Sequence, residues 1–253
     1  LYDSSGVRLA ATWTGDWELD TLRAGALGTV GINLPRIAYE TKGSESKFLK
    51  MLEEYLSLAT EALRIKAGTM ENLFSSRLLA LLSKSVAEEK YLRLKNTSFL
   101  IGLIGLNEAA KAWTGKQLHE DKGAVDFASK VVKHLSAEAN ELSSKIGFHI
   151  ALANEAFDEA PQRLAELDVE RYGWGVVNAQ GTRDAPYYTD LTVSPLEADV
   201  SIRDRLLLEG VFQPLLGGGH LLPIELGEEQ QNAEALLRMT KEIVQGENIG
   251  AYA

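Results

Sequence analysis

The stretch from Thr97 to Leu106, TSFLIGLIGL, sets the tightest limit on how this chain folds. Nothing polar follows Ser98, so neither side of the stretch can face water. Its ten residues are half of the ~20 that a membrane-spanning helix needs. A short run apolar on both faces is a strand buried between two layers. Similar runs recur at LGTVGINLP (27–35), GFHIALAN (147–154) and HLLPIEL (220–226). Amphipathic helices are expected between them. After Ser44, an N-cap by residue type, Phe48, Leu52, Tyr55, Leu56, Ala59 and Leu63 keep helical spacing, with Gly68 as the expected stop. A second helix is expected from Met70 to Ser83, and a short one after the 97–106 strand, ended by Gly115. Ala124, Ala128, Val131, Leu135 and Leu142 pattern the next, closed by Gly147. Further helices are read at 163–172, within 199–210 and at 228–246, the last stopped by Gly246, with a loop over 173–196. Buried strands alternating with amphipathic helices define an α/β fold with a parallel or mostly parallel sheet or barrel. Residues 27–253 read as one domain, preceded by an irregular segment, 1–26.

Charge and composition exclude several functions. The formal net charge is −10 with no Lys/Arg stripe, which disfavours a nucleic-acid polymer but not a nucleotide. The chain has no cysteine, which excludes disulfides, Cys-ligated zinc, iron–sulfur ligation and thiol chemistry by its own residues. No metal site is expected from four scattered histidines: His119 and His134 read as solvated and His149 as a core residue. No basic segment leading into an apolar one opens the sequence, so a cytoplasmic protein without membrane attachment is expected.

Three strand ends carry polar or backbone-special residues. Asn33 interrupts GINLPR; it either caps a neighbouring backbone or bonds a ligand, since an unsatisfied buried amide costs about 1–3 kcal/mol. Asn107 and Glu108 follow the 97–106 strand; they fit a helix start, or an anion or hydroxyl site. Gly217, Gly218, Gly219 and His220 precede the last strand, where successive glycines can present backbone N–H groups to a phosphate. Strands of a parallel sheet gather ligands at these ends.

Taken in order, LGTVGINLPRIAYE, GLIGLNEA, DEAPQRLAELDVERYG, YYTD, EGVFQPLLGGGHLLPIELGE with EALLRMTKEI, and NIGAYA resemble the catalytic region of the anaerobic (class III) ribonucleoside-triphosphate reductases, which are glycyl-radical enzymes. The resemblance implies part of a ten-stranded α/β barrel of the ribonucleotide reductase/glycyl-radical type. It implies reduction of ribonucleoside triphosphates through a finger-loop thiyl radical, with a glycyl radical installed by an S-adenosylmethionine iron–sulfur activase and a Cys-ligated zinc nearby. The finger-loop position aligns with Ala10 and Ala11, and alanine forms no thiyl radical. The glycyl-radical and zinc motifs would begin after NIGAYA, so no cofactor is expected within these residues. The chain is therefore expected to be a fragment or Cys-less form, inactive alone. A catalytically degenerate nucleotide-binding or assembly module of the same fold is the alternative. Removed cysteines, a natural split or degenerate relative, and part of a longer polypeptide all stay open as explanations. By the same resemblance, Asn33 and His220 face one nucleotide pocket, the glycines 217–219 lend backbone donors, and Asn107 and Glu108 form another wall. Glu159 falls on a family glutamate, although Ala160 replaces the serine beside it. Half a barrel leaves sheet edges exposed, so a homodimer or a complementing chain is expected.

Overall fold

The computed structural model describes residues 7–8, 23–41, 43–86, 89–225, 232–246, 249 and 252. Its centre is a parallel sheet ordered β1 (Gly25–Asn33), β4 (Thr97–Ile104), β5 (His149–Asn154) and β8 (Gly219–His220). Two antiparallel pairs lie outside it, β2 (Ser85–Val86) with β3 (Glu89–Lys90) and β6 (Gln180–Thr182) with β7 (Ala185–Tyr187). Every residue of β4 is buried, as a strand covered on both faces must be. The sheet is the α/β arrangement expected, and among the described residues its four strands do not close into a barrel.

One face carries the main core. Ile32, Phe99, Ile101, Leu103, Ile150 and Leu152 point into it, and helices α1 (Leu34–Thr41), α2 (Glu45–Ser75), α3 (Leu106–Thr114) and α4 (Lys122–Ile146) cover them. Phe48 of α2, Trp113 of α3 and Phe127 of α4 form one aromatic cluster, the last two stacked with centroids 5.2 Å apart. α6 (Ile202–Phe212) joins this face through Phe212. The opposite face is covered by α5 (Ala160–Tyr172) and the segment around Tyr188, which pack on Ile104. A final helix, α7 (Ala233–Gly246), follows.

Glycine serves two purposes here. Gly105 turns β4 into α3 with φ 78°, the left-handed conformation that favours glycine, and a Cβ there would strike the Pro35 ring. Gly31 and Gly102 are partners across β1 and β4, and the Phe157 ring lies directly on the side-chain-free floor they leave.

Several expectations need correction. The Gly68 stop is absent: α2 runs unbroken to Ser75, and the segment expected as a second helix is instead the end of α2 followed by turns. Gly68 faces open space, so it costs the helix only about 1 kcal/mol, and burial of Phe74 anchors the turns beyond it. Ser44 sits at the N-cap position without a side-chain cap bond. Pro35 bounds no turn but lies in the first turn of α1, where a missing N–H is harmless. The 220–226 strand shrinks to Gly219–His220 plus a bridge from Leu222 to Tyr252, because Pro223 has no N–H for a ladder.

The glycine floor yields a sharp expectation. Gly102→Ala overlaps the Phe157 ring and destabilises the chain by about 1–3 kcal/mol in urea unfolding. Adding Phe157→Ala recovers much of that loss; strictly additive losses would contradict the packing described.

Candidate functional site

Asn33, Asn154 and His220 end β1, β5 and β8, and the β4 chain turns at Gly105 along the same edge. This is the edge at which parallel α/β sheets hold ligands. The polar residues there form three clusters.

The first is built around Asp168 of α5, which is fully buried. Its carboxylate accepts from Asn33 Nδ2 at 2.9 Å and Tyr188 OH at 2.9 Å, and pairs with Arg36 Nε at 2.6 Å. Asn33 Oδ1 accepts from the Arg36 backbone N–H at 3.2 Å, so Asn33 caps α1 as one of the two sequence readings had it. Each end of the Asn33 amide retains one hydrogen-bonding position, by valence. Burial alone would lower the Arg36 pKa, but the hydrogen bond and charge of Asp168 raise it overall. Burial, with the charges of Tyr39 and Asp168, drives the Tyr188 phenol far above its usual range.

The second surrounds Glu108. Its carboxylate accepts from Asn107 Nδ2 (2.8 Å), Gln180 Nε2 (2.7 Å), Thr189 N (3.0 Å) and Thr189 Oγ1 (2.9 Å). Asn107 also donates to Gln117 Oε1 and accepts from Leu118 N. Both side chains are fully buried, and these bonds lock α3 to the 180–189 segment. The bonds of Asn107 and Glu108 run to neighbouring groups of the chain itself. Gly105, not Asn107, holds the N-cap position.

The third joins Asn154, His220 and Glu209. Asn154 and His220 are in register, and all three are buried to 2% exposure or less. Glu209 of α6 accepts from Val193 N, Ser194 N and Ser194 Oγ, and its Oε2 lies 2.8 Å from His220 Nε2. That close approach lies off the hydrogen-bonding direction, and His220 Nδ1 and Asn154 Oδ1 have no hydrogen-bond partner. Two open positions, Asn154 Oδ1 and His220 Nδ1, in one buried cluster are costly, at about 1–3 kcal/mol each.

Asn33 and His220 lie apart along this edge. Two strands separate them, and they face opposite ways, Asn33 toward α5 and His220 toward α6. Of the glycine donors expected, Gly218 N bonds Leu152 O and Gly219 N bonds Leu216 O. Gly217 belongs to the same turn. Glu159 occupies the N-cap position of α5, exposed and without a side-chain cap bond. Ala10 and Ala11 lie outside the described residues. Sequence reasoning missed Asp168, Asn154 and Glu209. The apolar strand ending in Asn154 held the one readable signal, an amide at a strand end; the partners of Asp168 and Glu209 lie too far away in sequence to be seen.

The chain matches the family model for anaerobic ribonucleoside-triphosphate reductase over residues 3–253. Curated relatives of that name from Haemophilus influenzae and Escherichia coli are 29% and 27% identical over 221 residues, which cover 83% of this chain and 30% of theirs. The relative from enterobacteria phage T4 is 24% identical over 218 residues, covering 83% of this chain and 34% of its own. The chain thus spans 30–34% of the length of these relatives. Two solved structures of the Thermotoga maritima anaerobic ribonucleotide reductase share the fold. The one with glycerol in the active site has a TM-score of 0.73 and 24% identity, covering 85% of this chain and 34% of that one. The complex with dATP and CTP has a TM-score of 0.72 and 23% identity over the same shares.

Glu108 gives the site a testable pH dependence. Burial pushes its carboxyl above the ordinary 4.5, against the hydrogen bonds from Asn107, Thr189 and Gln180. A raised folded-state pKa means that the folded chain keeps a proton the unfolded chain has lost. Its contribution is greatest below 4.5 and declines as pH rises through the raised value. The stability difference between the unsubstituted chain and Glu108→Gln, followed by denaturant unfolding, should therefore shrink as pH rises from 4.5. A difference independent of pH would contradict the assignment.

Proposed function

We propose that this chain, which belongs to the anaerobic ribonucleoside-triphosphate reductase family, holds the nucleotide in the reduction of ribonucleoside triphosphates to deoxyribonucleoside triphosphates. The observation that carries the reading is the polar edge of the parallel sheet in a chain matched by the family model almost end to end. A Thermotoga maritima relative of the same fold is described in complex with dATP and CTP, which supports a nucleotide as the ligand.

The residues divide the task by what they have left to offer. Asn33, fixed by Asp168 and by its cap to α1, keeps one donor and one acceptor position for a sugar hydroxyl. Asn154 Oδ1 and His220 Nδ1 add a second set of open positions at the same edge. Glu209, held by the backbone of Val193 and Ser194, sits beside the imidazole and limits its movement. Glu159, exposed at the N-cap position of α5, is left free to accept from a ligand hydroxyl. Asn107 and Glu108 support the wall from behind.

Radical chemistry places a demand that these residues do not meet. In the family, a glycyl radical set up by the activase supplies the oxidising equivalent that a cysteine passes to the ribose. This chain has no cysteine, and alanines stand at positions 10 and 11. It therefore fits neither a thiyl radical nor a Cys-ligated zinc made from its own residues. That absence favours a second reading, a nucleotide-binding or assembly module without turnover. A homodimer or a complementing chain would cover the outer strands of the sheet in either case.

Titration calorimetry with ATP, CTP, GTP and UTP tests the nucleotide reading. At least one triphosphate binds, and His220→Gln and Asn154→Ala each weaken it at least about tenfold, equivalent to 1.4 kcal/mol. Leu167→Ala, an exposed change, leaves binding intact. Failure of all four nucleotides to bind would overturn the reading. Deoxynucleotide production by the chain alone would overturn the view that it lacks turnover.

A further inference from the structure

We propose a divalent transition-metal site on the outer helical layer, formed by Glu53 of α2 with His134 and Glu138 of α4, that fastens the two helices together. His134 and Glu138 are four residues apart on one helix and so share a face. Glu53 reaches them from the neighbouring helix, with its Oε1 3.0 Å from His134 Nε2. One ligand atom from each of the three residues lies within 4.8 Å of the others. Ligand atoms around a tetrahedral zinc ion, with bonds of about 2.0–2.2 Å, stand about 3.4 Å apart. Small side-chain rotations close that gap, because the helices are already fixed by Leu52, Leu56, Val131 and Leu135 in the core beneath.

The surrounding charges point the same way. Among the described residues, no lysine or arginine pairs with Glu53 or Glu138. Lys130 pairs with Glu45, Lys50 with Glu54 at 3.8 Å, and Lys145 with Glu141 at 2.6 Å. Two carboxylates thus flank one imidazole without a lysine or arginine at ion-pair distance among the described residues, although the charge of Lys145 reaches Glu138 from farther off. His134 is three-quarters covered and Glu53 about half, so a bound ion would be partly shielded from water. One imidazole and two carboxylates suit zinc or nickel rather than magnesium, which favours all-oxygen ligation. Three protein ligands leave a position for water. Local spacing holds no hint of this, because the third ligand lies eighty-one residues from the histidine.

The test is calorimetric titration of the tag-free chain with zinc chloride at neutral pH, with nickel and magnesium chlorides alongside, paired with thermal melting. One zinc ion per chain is expected to bind and raise the melting temperature, with magnesium at least about a hundredfold weaker. His134→Ala and Glu138→Gln each weaken zinc at least about tenfold. Both sit on the helix surface, and their metal-free melting temperatures should match the parent. Lys133→Ala leaves zinc binding unchanged. No zinc binding, zinc binding that survives His134→Ala, or equal affinity for magnesium would each overturn the site.

Discussion

The double burial of β4 is the constraint on which the rest of the structure depends. A strand apolar on both faces needs a layer on each side, and the chain provides them by different means. The helices of the main core cover one face with a continuous apolar stripe and an aromatic cluster. The other face is covered by α5, Tyr188 and the Phe157 ring seated on a glycine floor. Because β4 is held from both sides, its parallel neighbours β1 and β5 are fixed in register, and their C-terminal ends come out along one edge.

That edge concentrates the chain's buried polar chemistry. Asp168, Glu108 and Glu209 are all fully buried, yet they are satisfied differently. Asp168 has a cation and two neutral donors; Glu108 has four neutral donors and no cation. Glu209 has three donors and an imidazole off axis. The first two are networks closed except at the Asn33 amide, and they stiffen the edge because any broken bond in a buried network leaves a costly orphan. The third is open at Asn154 and His220. The proposed nucleotide site draws on the positions where this rigid frame is incomplete.

Much of the frame was legible in the sequence, since it follows from local rules. The apolar run at 97–106 marked a doubly buried strand, and Gly115 and Gly147 ended their helices as left-handed caps. The capping role of Asn33 was one of two readings that its residue type allowed. What escaped depends on distance or on parity. Gly68 resembled a stop only because the pull of Phe74 farther on is invisible to a local rule. The face that His220 presents is set by a two-residue strand paired with β5, and a shift of one residue would reverse it. The bond from Asp168 to Asn33 spans 135 residues and belongs to tertiary packing alone.

Amide hydrogen exchange of the chain with and without saturating CTP tests the central claim most directly, because it reports each strand end separately. The account predicts slowed exchange around residues 31–36, 153–157 and 217–221, with the strand centres already protected in both states. Exchange unchanged in those three segments while CTP is bound, or slowed only on the outer helices, would contradict it.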